Sequence, residues 1–385
     1  MAAIRESPTA GPRAAPDSCD AETLAYTTVD VNIQRNYYYR SGVLLADGRI
    51  VFVPGTGTTI GLFNPDTNEF SQVGNLSNAF HKYSGGVLLR DGRVVFVPDN
   101  KRKIGLFNPA TNAFSTIAGP TCFGGYSGGV LLNDGRVVFV PSNTRTVGIF
   151  NPATDTYSEI AGPSGGAAYS GGVLLADGRV VFVPYCAQTI GIFNPDGDEY
   201  YEIPLTSPEL FMLYSGGVLL PDGRVVFVPC EAKTIMIFNP ATDSYDEIAC
   251  APGSDGYYDG VLLSDGRVAF VPNRGNAIGV FNPATGSHSE IAAPWPAKRS
   301  MYNGGVPLRD GRVVLVPRES KEIGILALSE EQARRRAHSR TEAVKAELVA
   351  AAWHPKRMSR WCLDEDERRE MAEMGLCDAT ATATA

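Results

Sequence analysis

YSGGVLLNDGRVVFVPSNTRTVGIFNPATDTYSEIAGPSGGAA, residues 126–168, is the clearest of seven copies of one pattern in this chain of 385 residues. The triplet Asp-Gly-Arg marks the copies, with its Asp at 47, 91, 134, 177, 222, 265 and 310, a period of 43 to 45 residues. Self-similarity at such a period signals units that cannot bury an apolar face alone and do so against their neighbours.

Each copy reads as four strands. Tyr126–Leu132 and Arg136–Pro141 are apolar, β-branched runs joined by Asp134-Gly135, a pair favoured in two-residue type I′ hairpins. Thr146–Phe150 is a third strand. It ends in Asn-Pro-Ala-Thr-Asp, where Pro152 presets φ for a turn and Asn151 can bond its own backbone. Tyr157–Ile160 is a short fourth strand. The run VVFVP is apolar throughout and so buried on both faces, as a sheet sandwiched between two others requires. Gly128-Gly129 belongs on the first strand, nearest an axis where bulk does not fit.

Four antiparallel strands every 40 to 50 residues is the spacing of propeller blades. The fold expected is all-β: a seven-bladed β-propeller of four-stranded antiparallel blades over 24–328, with a small α-helical tail. The blades are 39–73, 83–117, 126–160, 169–203, 214–248, 257–291, and 302–328 completed by 24–29. The seventh copy stops where its fourth strand should begin, and Ala25-Tyr26-Thr27-Thr28-Val29 reads like the missing piece. Tyr26–Val29 is therefore expected beside Glu322–Leu328, closing the ring.

The order GGVLL, DGRVVFVP, VGIFNPATDTYSEI in that copy resembles kelch repeats and the related central propeller of galactose-oxidase-like proteins. The resemblance implies the propeller architecture over residues 24–328. Kelch repeats typically end the second strand in Gly-Gly, where this chain has Val140-Pro141. Galactose-oxidase-like enzymes bind copper through Tyr and His. The four histidines, His81, His288, His338 and His354, occupy no facing blade positions, so no copper, other metal or cofactor is expected.

A net charge of −8 disfavours non-specific nucleic-acid binding, and no apolar run reaches the ~18 residues of a membrane span. Residues 1–23 are Ala/Pro-rich without the apolar core of an export signal and read as a disordered arm. Seven cysteines without repeating spacing argue for free thiols in a reducing compartment, hence a cytoplasmic, monomeric propeller. In the segment 329–377, Ser329-Glu330-Glu331-Gln332 is a capping box opening a helix that Trp353-His354-Pro355 breaks. The stretch AAWHPKRMSRWCLDEDERREM (351–371) resembles a short helical motif at the ends of uncharacterised proteins of large DNA viruses and algae. Residues 378–385 read as disordered.

Comparing the copies with one another locates the candidate site. The turns DGR and NPATD barely change, whereas the loops joining strands two and three differ in every copy. Antiparallel geometry puts those loops on the same face as the links between blades, and loops tolerate variation that strands do not. On that variable face Lys101, Arg102, Arg145, Lys233, Arg274 and Arg318 form a cationic fringe, with Tyr185 beside them. The expectation is a binding scaffold for a protein or peptide partner, with no catalytic residue assigned. A propeller enzyme acting on a small sugar or lactone at the axial mouth is the alternative. Cys122, Cys186, Cys230 and Cys250 share the face, without the CxxC spacing of a thiolate metal site. Tyr83, Tyr126, Tyr169, Tyr214, Tyr257 and Tyr302 open their first strands, as Tyr39 does in the first copy. They could ring the channel mouth; packing between blades, with each hydroxyl bonded to a neighbour, is the other reading.

Overall fold

The computed structural model describes residues 24–31, 39–76, 82–120, 125–164, 169–206, 212–250, 256–272, 275, 277–293 and 300–328. The arm 1–23, the tail 329–377, the segment 378–385 and two candidate side chains, Arg274 and Cys122, lie outside them. The described residues form twenty-eight strands, β1 to β28 in chain order, in seven four-stranded antiparallel sheets. Blade three shows the plan: β10 (Tyr126–Leu131), β11 (Val137–Pro141), β12 (Thr146–Asn151) and β13 (Thr156–Ala161) pair in that order from axis to rim. Blade seven alone borrows a strand. There β1 (Leu24–Asp30) pairs antiparallel with β28 (Glu322–Leu328), Leu24 opposite Leu328 and Asp30 opposite Glu322.

The ring is held by apolar layers between blades rather than by one central core. Val137, Val138, Phe139 and Val140 are all 0% exposed. Because strand side chains alternate, Val137 and Phe139 pack on Val95 and Ile104 of blade two, while Val138 and Val140 pack on Val180 and Phe182 of blade four. Seven such layers occur among the described residues. One of them joins Phe52 of blade one to Val314 and Val316 of blade seven, so the circle closes through side chains as well as through β1.

The facing position on the fourth strand carries a ring in every blade: Phe70, Phe114, Tyr157, Tyr200, Tyr245, His288 and Tyr26. Tyr157 on β13 stands opposite Phe150 and bonds the Tyr126 hydroxyl at 2.7 Å. A β-carbon on Gly148 would come within 2.9 Å of the Tyr157 ring and 3.0 Å of the Tyr126 ring, so glycine there makes room for the pair. Tyr26 on β1 holds the equivalent place in blade seven, 2.8 Å from the Tyr302 hydroxyl. Blades one, two and six have no tyrosine there, and in blade five Met236 replaces the glycine while the Tyr245 hydroxyl bonds Thr206, in the link after blade four.

The Asp-Gly turn differs from the two-residue type expected. Leu132 N–H bonds the Arg136 carbonyl at 2.8 Å, and Gly135 N–H bonds the Leu132 carbonyl at 3.0 Å. Gly135 has φ +91° while Asp134 keeps negative φ, which makes a three-residue loop ending in a left-handed glycine. The Asp134 carboxylate accepts the Arg136 backbone N–H at 2.9 Å and its Nε at 2.6 Å. Arg136 then reaches blade four, giving Nη1 to both oxygens of Asp198 at 2.7 and 2.9 Å. Arg93–Asp155 and Arg179–Asp243 repeat this contact on the constant-turn face.

Candidate functional site

The first strands line the axis, and each carries an irregularity there. Tyr126 pairs with Pro141 and Gly128 with Val140, so Ser127 is an extra residue; the register slips at the corresponding place in all seven blades. A bulge of this kind re-aims side chains. Here it sends the tyrosine outward and the next two residues toward the channel.

The outward direction is read from the phenol partners. Tyr126, Tyr169 and Tyr214 bond Thr146, Thr189 and Thr234 on their third strands; Tyr257 bonds Glu290 and Tyr302 bonds Tyr26 on fourth strands. With Tyr83, these six candidates are all 4% exposed or less. Their hydroxyls therefore serve packing within the blade. They do not ring the channel mouth, although Tyr126 and Tyr169 border the cavity. Burial also pushes the Tyr83 and Tyr169 phenols up to about 12.

What lines the channel is the pair after each tyrosine. In blades two to five it is Ser-Gly: Ser84-Gly85, Ser127-Gly128, Ser170-Gly171 and Ser215-Gly216. A β-carbon on Gly85 would stand 3.3 Å from Gly128 Cα, and one on Gly171 would stand 4.0 Å from Gly216 Cα, so the glycines form a close ring. The serines stitch neighbours together. Ser127 Oγ accepts the Gly171 N–H at 3.1 Å, and Ser215 Oγ donates to the Tyr258 carbonyl at 2.8 Å.

Three consecutive blades break this pattern. Blade six has Tyr258-Asp259, blade seven Asn303-Gly304 and blade one Arg40-Ser41. Asn303 keeps the stitching role, donating to the Arg40 carbonyl at 2.7 Å. The other departures add charged and aromatic side chains where four blades have Ser-Gly. All of them border one axial cavity of about 660 Å³ that Asp99, Asn100, Ser142, Asn143 and Tyr185 also line. Those five residues come from strand two-to-three loops, so the cavity opens on the variable face.

Of the fringe expected from the sequence, Tyr185 lines this cavity and Arg318 stands at its edge, stacked 4.8 Å over the Tyr258 ring and bonded to Asn303 Oδ1 at 3.3 Å. Lys101, Arg102, Arg145 and Lys233 lie on the loops outside the lining, Lys101 half-buried and the other three exposed. Burial pushes the Tyr185 phenol up to about 12. Arg40 lies 3.9 Å from Asp99. Asp259 accepts the Gly260 N–H at 2.9 Å, and burial pushes its carboxyl up to about 7 against the opposing pull of the Gly260 and Gly305 N–H groups. Among the described residues Cys186, Cys230 and Cys250 form no disulfide, and no group of three or more His, Cys, Asp or Glu able to hold a metal ion occurs. Reading the loops alone missed Arg40, Tyr258 and Asp259. Their signal was the departure of YRSG and YYDG from the four copies of YSGG.

Fold and cavity together define a seven-bladed β-propeller with a polar, open-mouthed axial pocket. No family model matches the chain, and no curated protein matches it by sequence. Solved structures do resemble it. Virginiamycin B lyase from Staphylococcus aureus superposes with TM-score 0.69 at 17% identity over 79% of this chain and 99% of that one. A copper-bound fungal alcohol oxidase of the AA5 family gives 0.61 at 12% identity, covering 80% of this chain and 76% of the oxidase. The WD40 propeller of Doa1 gives 0.58 at 12% identity, covering 80% and 98%. Likeness at such identities establishes the fold.

Proposed function

We propose that this chain is a non-enzymatic binding scaffold that seats a protein or peptide segment at the axial mouth of its variable face. One observation carries the reading. At the two positions that face the channel, blades six, seven and one change chemical character, to Tyr258-Asp259, Asn303 and Arg40-Ser41, whereas the packing run stays apolar in every copy, VVFVP in four and IVFVP, VAFVP and VVLVP in those same three blades. A ring maintained for stability alone has no use for Tyr258-Asp259 or Arg40 where Ser-Gly suffices in four other blades.

The lining favours recognition over catalysis. Two carboxylates border the cavity, Asp99 from blade two and Asp259 from blade six, and Asp99 already faces Arg40. A kelch-like relationship belongs to the same proposal on the order of its motifs. So do cytoplasmic residence, on cysteines Cys186 and Cys250 that form no disulfide, and a monomeric ring whose partner is neither nucleic acid nor membrane, on a net charge of −8.

The test reverts the departing blades to the chain's own pattern. Arg40→Ser, Tyr258→Ser and Asp259→Gly together install residues that the same strand position already accepts elsewhere. Affinity capture from native lysate should then lose the partner retained by the unaltered chain. Identical partner sets would refute the reading.

A further inference from the structure

Asp259 is the least expected group in the channel. It interrupts a ring that is glycine at Gly85, Gly128, Gly171, Gly216 and Gly304. β-Carbons on Gly216 and Gly304 would each stand 2.8 Å from one of its carboxylate oxygens, so the bare neighbours on both sides leave room for it. Among the described residues it takes part in no ion pair, and its Oδ1 is held by a backbone N–H. A half-buried carboxylate held without a cation carries a desolvation cost. Nothing in the fold requires it, since glycine serves in the equivalent place of five blades.

Among the described residues the surroundings leave that charge unanswered. Neighbouring β18 (Tyr214–Leu219) offers Ser215 and Gly216, β26 (Tyr302–Pro307) offers Asn303 and Gly304, and β23 (Val268–Pro272) beside it in its own blade is apolar. None is charged. Of the described cations at the mouth, Arg318 stacks on the Tyr258 ring and bonds Asn303, and Arg40 lies toward Asp99. The other titratable groups bordering the cavity are the phenols of Tyr126, Tyr169, Tyr185 and Tyr258.

Resting on the binding role proposed above, we infer that Asp259 anchors a cationic group of the bound segment, an arginine guanidinium or a lysine ammonium that enters the channel from the variable face. A guanidinium matches a carboxylate in two parallel hydrogen bonds, and the pair gains strength in a site that excludes most water. The cavity, at about 660 Å³, holds such a side chain together with its residual waters.

The experiment uses 1-butylguanidinium as probe, because its charge does not titrate, with N-butylurea as the neutral counterpart and butylammonium as the lysine mimic. Binding to the full chain is followed by calorimetry and by the ¹³Cγ resonance of Asp259. The guanidinium should bind one to one, shift the Asp259 titration to lower pH, and bind about a hundredfold more weakly at pH 5 than at pH 8, since the carboxyl titrates near pH 7. Asp259→Asn should weaken binding at least tenfold, as should Asp259→Gly, which restores the residue used by five other blades. Butylureas should not bind, and the ratio of butylammonium to guanidinium affinity tells which side chain the channel prefers. Equal guanidinium binding by wild type and Asp259→Asn overturns the inference, and so does a resonance moved by magnesium or calcium chloride but silent to both organic cations. If lysate partners are lost with Arg40→Ser and Tyr258→Ser while the organic cations leave Asp259 untouched, the scaffold stands and this anchor falls.

Discussion

Asn112→Asp should stabilise the propeller by completing a contact that blades two, three and four make and blade one lacks. Arg93 divides its guanidinium, giving Nε to Asp91 at 2.7 Å and Nη1 to both oxygens of Asp155 on the next blade at 2.9 and 3.1 Å. Arg49, its counterpart in blade one, turns both Nε and Nη2 onto its own Asp47 and reaches the next blade only at the Pro109 carbonyl, 3.3 Å away. The residue standing where Asp155 stands is Asn112. Its φ of +55° is already left-handed, as is the +51° of Asp155, so the exchange is isosteric and adds no backbone strain. The model pair is partly exposed, Arg93 at 24% and Asp155 at 43%. Solvent screening therefore limits a bidentate surface pair of this kind to about 0.5–1 kcal/mol. For a domain of this size that is roughly 1–3 °C in melting temperature. Calorimetric melts at low salt should show the rise, and 1 M salt should remove most of it, because screening then acts within about 3 Å. Asp155→Asn, Asp198→Asn and Asp243→Asn should each lose a similar amount. An unchanged or lower melt for Asn112→Asp at low salt, or a gain that survives 1 M salt, would refute the account of how the blades are stitched on the constant-turn face.

Other outcomes follow from the same structure. Tyr26→Phe removes the 2.8 Å hydrogen bond between the Tyr26 and Tyr302 hydroxyls, the latter on a side chain 1% exposed, and should cost about 1 kcal/mol in urea unfolding. Asp259→Asn should raise stability at pH 8. Its carboxyl is raised in the folded state to about 7, so the favourable protonated form is complete below the unfolded value near 4 and lost as pH rises through 7; melts at pH 4 and below should show no difference. The Tyr83 and Tyr169 phenols, raised to about 12, keep their contribution below pH 10 and lose it as pH climbs toward 12. Tyrosinate absorbance in the native state should accordingly develop late and together with unfolding, and an early titration of most phenols would contradict their burial.

Much of the architecture was legible because repetition turns a single sequence into seven comparisons. The spacing of Asp47, Asp91 and their successors gave the number of blades, and the unbroken apolar run at Val137–Pro141 gave a strand covered on both sides. Tyr26 could be placed as well, since it lies before Tyr39 at nearly the spacing that separates Tyr157 from Tyr169. Direction was harder. Whether Tyr126 faces the axis or the rim depends on a bulge one residue later, and a bulge leaves no mark in an alternation of apolar and polar residues. The Asp134-Gly135 turn was misjudged for a related reason, as two- and three-residue hairpin loops accept the same pair and differ in which residue carries positive φ. Tyr258 and Asp259 escaped because attention to variable loops passed over two strand positions whose variation is confined to three adjacent blades.

The pairing of Leu24 with Leu328 has a mechanical consequence. Both chain segments leave the outer sheet of blade seven at the same corner, so a pull applied through them loads one pair of residues at a time. The sheet would open like a zip, from Leu24 toward Asp30, at far lower force than shearing seven pairs together. Joining the two ends by a short peptide removes that corner, and a circularly permuted chain opened in another blade's link should resist pulling at a site the natural order leaves weakest.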